Sequence, residues 1–258
     1  MNELKLAVIQ SFLHWGDKEK NLKSFSAKLE QVGEVDIIVL PETFSTGFCM
    51  KQAAQYAESS DGKTMEWLAN QAQKYDAVIT GSHMVEDNGN YYNRLIWMRP
   101  DGTFESYDKR HLFRLAYEQN YFTAGENKKI VTLKGWNINL NICYDLRFPV
   151  WCRNIDNEYD LLLFVANWPK KRIDHWKQLL KARAIENLSY VVGCNRIGMD
   201  GTQTDHCGNS SIISPMGIVL KQSIKEEIIH ITLEKKILES VRNRLQFYKD
   251  ADQFEIKT

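Results

Sequence analysis

The chain has 258 residues, 43% of them hydrophobic and 26% charged, and its 33 basic and 33 acidic side chains cancel to a formal net charge of +0. This is the make-up of an ordinary globular protein. It argues against a nucleic-acid-binding surface, which needs a basic stripe to neutralise phosphates, but leaves room for a small anionic ligand in a locally basic pocket.

In chain order, Leu4 to Phe12 reads as a first strand, and what precedes it lacks the apolar core and cleavage site of a signal peptide. Asp17 is placed to cap a helix whose apolar face is Leu22, Phe25, Leu29 and Val32. Asp36 to Leu40 is a short continuous apolar run, the mark of a strand covered on both faces, and it ends at Pro41-Glu42-Thr43. A helix near Thr64 to Tyr75 leads to a strand at Ala77 to Thr80. The middle is strand-rich: Asn90 to Arg99, Phe104 to Tyr107, Lys129 to Leu133 and Trp136 to Ile142, with a turn at Pro100-Asp101-Gly102. Asp160 to Val165 is a buried strand, and the longest apolar stretch, Leu161 to Ala166, is far too short to cross a bilayer. Asp174 caps a helix carrying Trp176, Leu179, Leu180, Ile185 and Leu188. Strands follow at Tyr190 to Asn195, Ser210 to Ile213, Ile218 to Lys221 and Glu227 to Leu233, then a helix over Glu234 to Leu245. Strands alternating with amphipathic helices give an α/β sheet protein, and so many strands with so few helices imply two sheets with helices on the outer faces only. No linker, repeat or low-complexity segment divides residues 1–258, which read as one domain.

Functional groups in α/β folds gather at strand ends, and three strand ends here carry unusual polar residues. Cys143 closes the alternating run Trp136-Asn-Ile-Asn-Leu-Asn-Ile-Cys143 and is followed by Tyr144-Asp145-Leu146-Arg147-Phe148-Pro149, a turn into a helix with Pro149 in its first turn. Backbone N–H groups of that helix would point at the thiol and favour a thiolate, then an acyl-transfer oxyanion. A buried small hydrophobe is the plain alternative. Glu42 ends a strand covered on both faces, where a carboxylate must be paired or used. Lys109 lies in a cationic turn, Tyr107-Asp108-Lys109-Arg110-His111-Leu112-Phe113, of a kind that is usually just solvated.

Together the three have a logic that none has alone. A carboxylate in a desolvated pocket can take the thiol's proton. A buried ammonium beside an amide N–H can hold the tetrahedral intermediate, each such donor being worth roughly 3–4 kcal/mol of barrier. A phosphatase loop would need arginine where Pro149 stands, and no papain-like signature surrounds the cysteine. The five cysteines (Cys49, Cys143, Cys152, Cys194, Cys207) contain no Cys-x-x-Cys pair, which argues against a disulfide framework and a structural zinc site and points to a reducing cytoplasm. Cys152, in a helix, and Cys194, in a strand, read as buried thiols. His206-Cys207 lacks a second ligand pair for a metal, His111 reads as a loop stabiliser, and Arg183 pairs with Glu186 or across an interface.

Leu40-Pro41-Glu42-Thr43-Phe44, Asp108-Lys109-Arg110-His111-Leu112-Phe113 and Asn141-Ile142-Cys143-Tyr144-Asp145-Leu146-Arg147-Phe148-Pro149 resemble, in order, the Glu, Lys and Cys motifs of the nitrilase, or carbon–nitrogen hydrolase, superfamily. The resemblance covers nearly the whole chain. It implies a four-layer αββα sandwich of two mixed sheets and hydrolysis through a thioester acyl-enzyme. Glu42 would be the general base, Lys109 the intermediate-stabilising cation and Cys143 the nucleophile. Glu118 matches the second glutamate that many members place near the lysine, and the Tyr144 amide would share the oxyanion hole. No metal or organic cofactor is implied, and no nucleic-acid or membrane partner; a homodimer or higher homo-oligomer is expected.

Phe148 to Asn154, Phe164 to Pro169 and Lys181 to Asn187 look like the bacterial ω-amidase branch of that superfamily. Its members hydrolyse the terminal amide of small-molecule 2-oxo acid amides such as 2-oxoglutaramate and 2-oxosuccinamate, releasing ammonia. Val150 departs from the broader pattern, where many relatives place Glu, and suggests a branch-specific pocket or helix start. Trp168 is a candidate substrate-binding wall. Lys170, Lys171 and Arg172 could meet the substrate carboxylate, Arg172 in bidentate fashion, although an exposed basic loop is the plain reading. From sequence two rivals remain open: a hydrolase of the same fold acting on carbamoyl amines, aliphatic amides or nitriles, and a non-catalytic scaffold.

Overall fold

The structure, a computed structural model, describes residues 3–252 and 254–256. Two six-stranded mixed sheets lie face to face. The first contains β1 (Glu3–Gln10), β2 (Ile37–Val39), β3 (Val78–Asp87), β4 (Asn90–Met98) and β5 (Phe104–Asp108). The second contains β6 (Ile130–Leu133), β7 (Trp136–Ile142), β8 (Leu161–Ala166), β9 (Tyr190–Asn195), β12 (Ser210–Ile213) and β13 (Val219–Ser223). Between β9 and β12 the chain makes a small hairpin of β10 (Ile197–Met199) and β11 (Asp205–Cys207), and the late strand β14 (Glu227–Glu234) returns to pair with β1. Spatial orders are β14-β1-β2-β3-β4-β5 and β13-β12-β9-β8-β7-β6. In each sheet three central strands run parallel and the flanking ones antiparallel.

The layering follows from strand alternation. Leu4, Leu6 and Val8 of β1 point into the layer between the sheets. Ala7 and Ile9 point outward, against Phe25 and Leu29 of α1 (Lys18–Leu29) and Leu68 and Ala72 of α3 (Lys63–Tyr75); the single-turn α2 (Ala53–Tyr56), which precedes α3 in the chain, packs in a separate cluster with Cys49 and Met84. The interior is thin enough for the Cys194 thiol of β9 to touch the Ile9 and Val39 carbonyls of the first sheet, at 3.6 and 3.7 Å. On the far side α4 (Ile173–Asn187) lies so close to β9 that a Cβ at Gly193 would sit 2.6 Å from the Trp176 ring. Helix, sheet, sheet and helix thus form the four expected layers. The last helix, α5 (Lys235–Leu245), is pinned by Asp160, whose carboxylate accepts from the Asn137 amide at 2.9 Å, Lys235 Nζ at 2.9 Å and Arg242 Nη1 at 3.1 Å.

Asp17 caps α1 as expected, its Oδ1 accepting from the Lys20 amide at 3.1 Å. Asp174 does not cap α4: a 3₁₀ turn at Lys170–Arg172 feeds straight into the helix, so Arg172 holds the cap position and Asp174 lies inside the first turn. No helix starts at Pro149. The segment after β7 is one 3₁₀ turn, Cys143–Arg147, and Phe148 is extended (φ −111°, ψ 90°), because a residue before proline is pushed out of the helical region. Cys152 is therefore buried in a turn rather than a helix. Strand β3 runs on to Asp87 past Gly81 and Ser82, polar and small positions that end the apolar run but stay buried.

Replacing Asp160 by alanine would strand two cations at the foot of the second sheet. The expected result in a urea melt is a loss of about 3 kcal/mol, and an unchanged midpoint would show that α5 docks without this carboxylate.

Candidate active site

Each of the three strand-end residues is delivered to one place. Glu42 follows β2, with Thr43 beside it in a left-handed conformation (φ +45°). Lys109 follows β5 and stays tied to the sheet through its amide, which donates to the Asn93 carbonyl at 3.0 Å. Cys143 opens the turn after β7 and is itself left-handed (φ +44°). Non-glycine residues rarely hold this backbone, and such strain concentrates at functional sites.

The Lys109 ammonium, 1% exposed, lies 2.8 Å from Glu42 Oε1 and 3.0 Å from Glu118 Oε1. Glu118 belongs to the 3₁₀ turn Glu118–Asn120, and its other oxygen accepts the Phe113 amide at 2.5 Å. Glu42 is held from both sheets. Asn93 Nδ2 of β4 donates to Oε1 at 2.9 Å, and the Asn167 amide, just past β8, donates to Oε2 at 2.7 Å. The Asn167 side chain also grips the Glu42 carbonyl, at 2.7 Å.

Burial works against a charged lysine, but Glu118 and Glu42 outweigh it and hold Lys109 well above the ordinary lysine range. Burial also lifts the Glu118 carboxyl, with Lys109 opposing. At Cys143, burial and then the facing Glu42 carboxylate push the thiol well above its usual value, against the smaller pull of Lys109 and the Asn167 amide. The expectation of helix amides at the thiol is overturned: the chain after Cys143 makes one 3₁₀ turn and no α-helix begins here.

Asp145 binds the cysteine and lysine motifs together. It is fully buried; Oδ2 accepts from the Ile142 amide at 3.0 Å and Tyr107 Oη at 2.8 Å, and Oδ1 accepts from the His111 amide at 3.0 Å and faces His111 Nδ1 at 2.8 Å. His111 also stacks on Phe148 at 3.6 Å, which fits a loop-stabilising residue. Arg183 pairs with Glu186 at 2.9 Å and donates to the Leu146 carbonyl at 2.7 Å, supporting the same turn from α4.

Above Glu42, Lys109 and Cys143 opens a cavity of about 180 Å³. Tyr144 and Trp168 are both in its wall, with Trp15, Phe48 and Phe113. Two guanidiniums reach it: Arg147 lies 4.7 Å over the Trp168 ring and Arg172 5.2 Å over the Phe113 ring. Neither has an ion-pair partner among the described residues, whose arginine pairs involve Arg94, Arg99, Arg183 and Arg242. Burial and the neighbouring Arg172 hold Arg147 below the usual guanidinium range. The basic run divides: Arg172 faces the cavity, its carbonyl fixed by Trp168 Nε1 at 2.7 Å, while Lys170 pairs with Asp205 at the surface. The tip of the β10–β11 hairpin (Asp200, Thr202, Thr204) and His206 complete the rim. Among the described residues no cluster of three His, Cys, Asp or Glu side chains could hold a metal. Val150 is exposed, outside both the cavity and any helix, so its departure from the wider pattern marks neither a pocket nor a helix start.

Sequence reasoning missed Asn93, Asp145 and Arg147 as contributors to the site. Asn167 carried a usable signal, a polar residue closing the buried run Leu161 to Ala166, the same signal that marks Glu42. Chemically the site combines a thiol, a carboxylate facing it, a buried ammonium held between two carboxylates and a cationic cavity end.

A family model described as carbon-nitrogen hydrolase matches residues 5–242. The omega-amidase YafV of Yersinia enterocolitica is 42% identical over 98% of this chain and 99% of its own length. The 2-oxoglutaramate amidase of Bacillus subtilis is 32% identical over 95% of this chain and 96% of its own. The crystal structure of XC1258 from Xanthomonas campestris, a CN-hydrolase superfamily protein with an arsenic adduct in its active site, superposes with a TM-score of 0.97 at 39% identity, covering 100% of both chains. By sequence, fold and the convergence of its three motifs, the chain belongs to the carbon–nitrogen hydrolase family.

Proposed function

We propose that this chain is an ω-amidase that cleaves the terminal amide of 2-oxo dicarboxylic acid monoamides, 2-oxoglutaramate and 2-oxosuccinamate, to ammonia and the 2-oxo dicarboxylate. The observation that carries the reading is a thiol, its facing carboxylate and two guanidiniums, Arg147 and Arg172, without a carboxylate partner among the described residues, in one cavity. Those guanidiniums suit the substrate carboxylate, which each can grip through two N–H donors. Together with Lys109 they disfavour an α-ammonium group, so 2-oxo acids are preferred over the corresponding amino acids. The omega-amidase and 2-oxoglutaramate amidase relatives agree with this.

In the reaction, Glu42 takes the Cys143 proton as the sulfur attacks the amide carbon. The developing oxyanion is held by Lys109 and the Tyr144 amide. Glu42 then passes its proton to the departing nitrogen, ammonia leaves, and a thioester remains. Water, deprotonated by Glu42, attacks that thioester; collapse of the second tetrahedral intermediate returns the proton to sulfur and frees the acid. Lys109 stays charged throughout, with Glu118 at 3.0 Å as a second carboxylate balancing it. Because the resting thiol is neutral, proton transfer and attack are coupled, so the nucleophile forms only when substrate is in place. We read residues 1–258 as one catalytic domain working in the cytoplasm as a homodimer or higher homo-oligomer. Its five free cysteines suit a reducing compartment.

The test is ammonia release from 2-oxosuccinamate and 2-oxoglutaramate beside glutamine, asparagine and an aliphatic nitrile, with wild type and Cys143→Ala. Cysteine-dependent turnover of the 2-oxo amides is expected; equal or better turnover of a plain amide or nitrile would replace the substrate assignment. Arg147→Ala should raise KM for the 2-oxo amides roughly tenfold, with little change for a neutral amide.

Glu42→Gln separates the two effects of the carboxylate. Turnover should fall by roughly 10²–10⁴ with the base gone. The thiol, freed of the facing negative charge while Lys109 remains, should drop in pKa and react faster with iodoacetamide at neutral pH. Slower alkylation than wild type would refute the idea that Glu42 keeps Cys143 protonated.

A further inference from the structure

Asn93 is the odd member of the Glu42 cluster. It lies on β4, fully buried, and its backbone serves the loop after β5, the carbonyl accepting from the Lys109 amide at 3.0 Å. Among the described residues its side chain makes one hydrogen bond, Nδ2 to Glu42 Oε1 at 2.9 Å, while Oδ1 is buried without a donor. A buried amide oxygen left unanswered works against folding, and an apolar side chain of similar shape would avoid it. What the amide adds at this position is its bond to Glu42.

That bond decides how the carboxylate can be used. Each oxygen of an ionised carboxylate offers two lone-pair sites. At Oε1 both are taken, by Asn93 Nδ2 and by Lys109 Nζ at 2.8 Å. At Oε2 one is taken, by the Asn167 amide at 2.7 Å. The Asn167 side chain directs its N–H groups elsewhere, to the Glu42 carbonyl at 2.7 Å and Thr43 Oγ1 at 3.0 Å, and stands back from Oε2 at 3.4 Å. Oε2 therefore holds the open lone pair. The Asn167 amide that donates to Oε2 also acts on the Cys143 thiol, so this oxygen lies on the side of the sulfur.

From this geometry we infer that Asn93 is a positioning residue for the reaction proposed above, on which this inference rests: with Lys109 it closes Oε1 to protons and makes Oε2 the oxygen through which every proton passes. The Cys143 S–H bond breaks as an Oε2–H bond forms, and that proton goes on to the departing nitrogen. One proton of the attacking water then moves to Oε2, and from there to the sulfur as the second intermediate collapses. While Oε2 carries a proton, Oε1 is the carbonyl oxygen of the acid and keeps the same two donors. Glu42 thus gains and loses a proton twice without turning, a preorganised proton carrier. The titratable groups that face it are Lys109 from the end of β5, Glu118 from its 3₁₀ turn and Cys143 from the turn after β7. Asn93, from β4, is neutral at every pH, so its removal takes away a donor without adding or deleting a charge.

The test is the pH profile of kcat/KM for 2-oxosuccinamate, or for whichever amide the wild type hydrolyses better, in Asn93→Leu, Asn93→Ala and a control, Asn139→Leu. Asn139 is a buried asparagine of β7 whose Nδ2 is also unpartnered, and it makes no bond to Glu42 among the described residues. Loss of the Asn93 donor disfavours the charged carboxylate, so the acid limb should move up by about one pH unit in both Asn93 variants and stay in place in Asn139→Leu. Their kcat should fall roughly 10–10²-fold, with KM near the wild-type value, and Asn93→Leu should keep the wild-type Tm. An acid limb that stays put in both Asn93 variants, or moves equally in Asn139→Leu, overturns the positioning role. The choice of oxygen is read from an atomic-resolution crystal structure of the wild type at a pH below the acid limb. The longer, protonated C–O bond is expected at Oε2; finding it at Oε1 overturns the assignment. A wild type with no cysteine-dependent amide hydrolysis would overturn the reaction itself and this inference with it, a result distinct from an unmoved limb.

Discussion

An ammonium group almost completely removed from water is the constraint to which the rest of this protein answers. An isolated Lys109 charge at 1% exposure would lose several kcal/mol of solvation. It is kept by two carboxylates, and each of those needs donors of its own: Asn93 and Asn167 for Glu42, the Phe113 amide for Glu118. Those donors come from β4, from the end of β8 and from the irregular loop after β5. Strand register, sheet-to-sheet distance and loop path are therefore fixed by the same cluster, and removing one member would leave the others uncompensated in a low-dielectric setting.

That cluster also decides how the nucleophile is kept. A cysteine beside a lysine is ordinarily pulled toward thiolate. Here burial raises the thiol's pKa and the facing Glu42 carboxylate adds to it, which favours the protonated sulfur over the thiolate. A neutral thiol is a poor target for oxidants and stray electrophiles. Reactivity is thus tied to the proton transfer that a bound amide completes.

The sequence was most readable where one local signal sufficed. Strands β7, β9 and β12 were located to the residue because alternation or an unbroken apolar run is bounded by polar and turn residues. Glu42 stood out because a charge closes a fully buried run. Other parts depended on long-range geometry. Asp145 reads as a turn residue until Tyr107 and His111, 38 and 34 positions away, are seen to converge on it. Arg147 and Arg172 carry the same charge as Lys170, and only their position over aromatic rings separates cavity from surface. The hairpin β10–β11 escaped notice because three residues per strand are too few to show a period. The missing helix at Pro149 turned on one competing rule, since the proline that suits a first turn also forces Phe148 out of helical geometry.

Glu42 sits astride the seam of the sandwich, gripped by Asn93 from one sheet and Asn167 from beyond the edge of the other. A relative slide of the two sheets by a few tenths of an ångström would leave the apolar interior nearly intact but loosen one of these grips. The molecule should then lose chemical competence while it still gives the spectrum and compactness of a folded protein. Heat inactivation would precede calorimetric melting, and side chains buried between the sheets, far from any reacting atom, would govern the gap between the two temperatures.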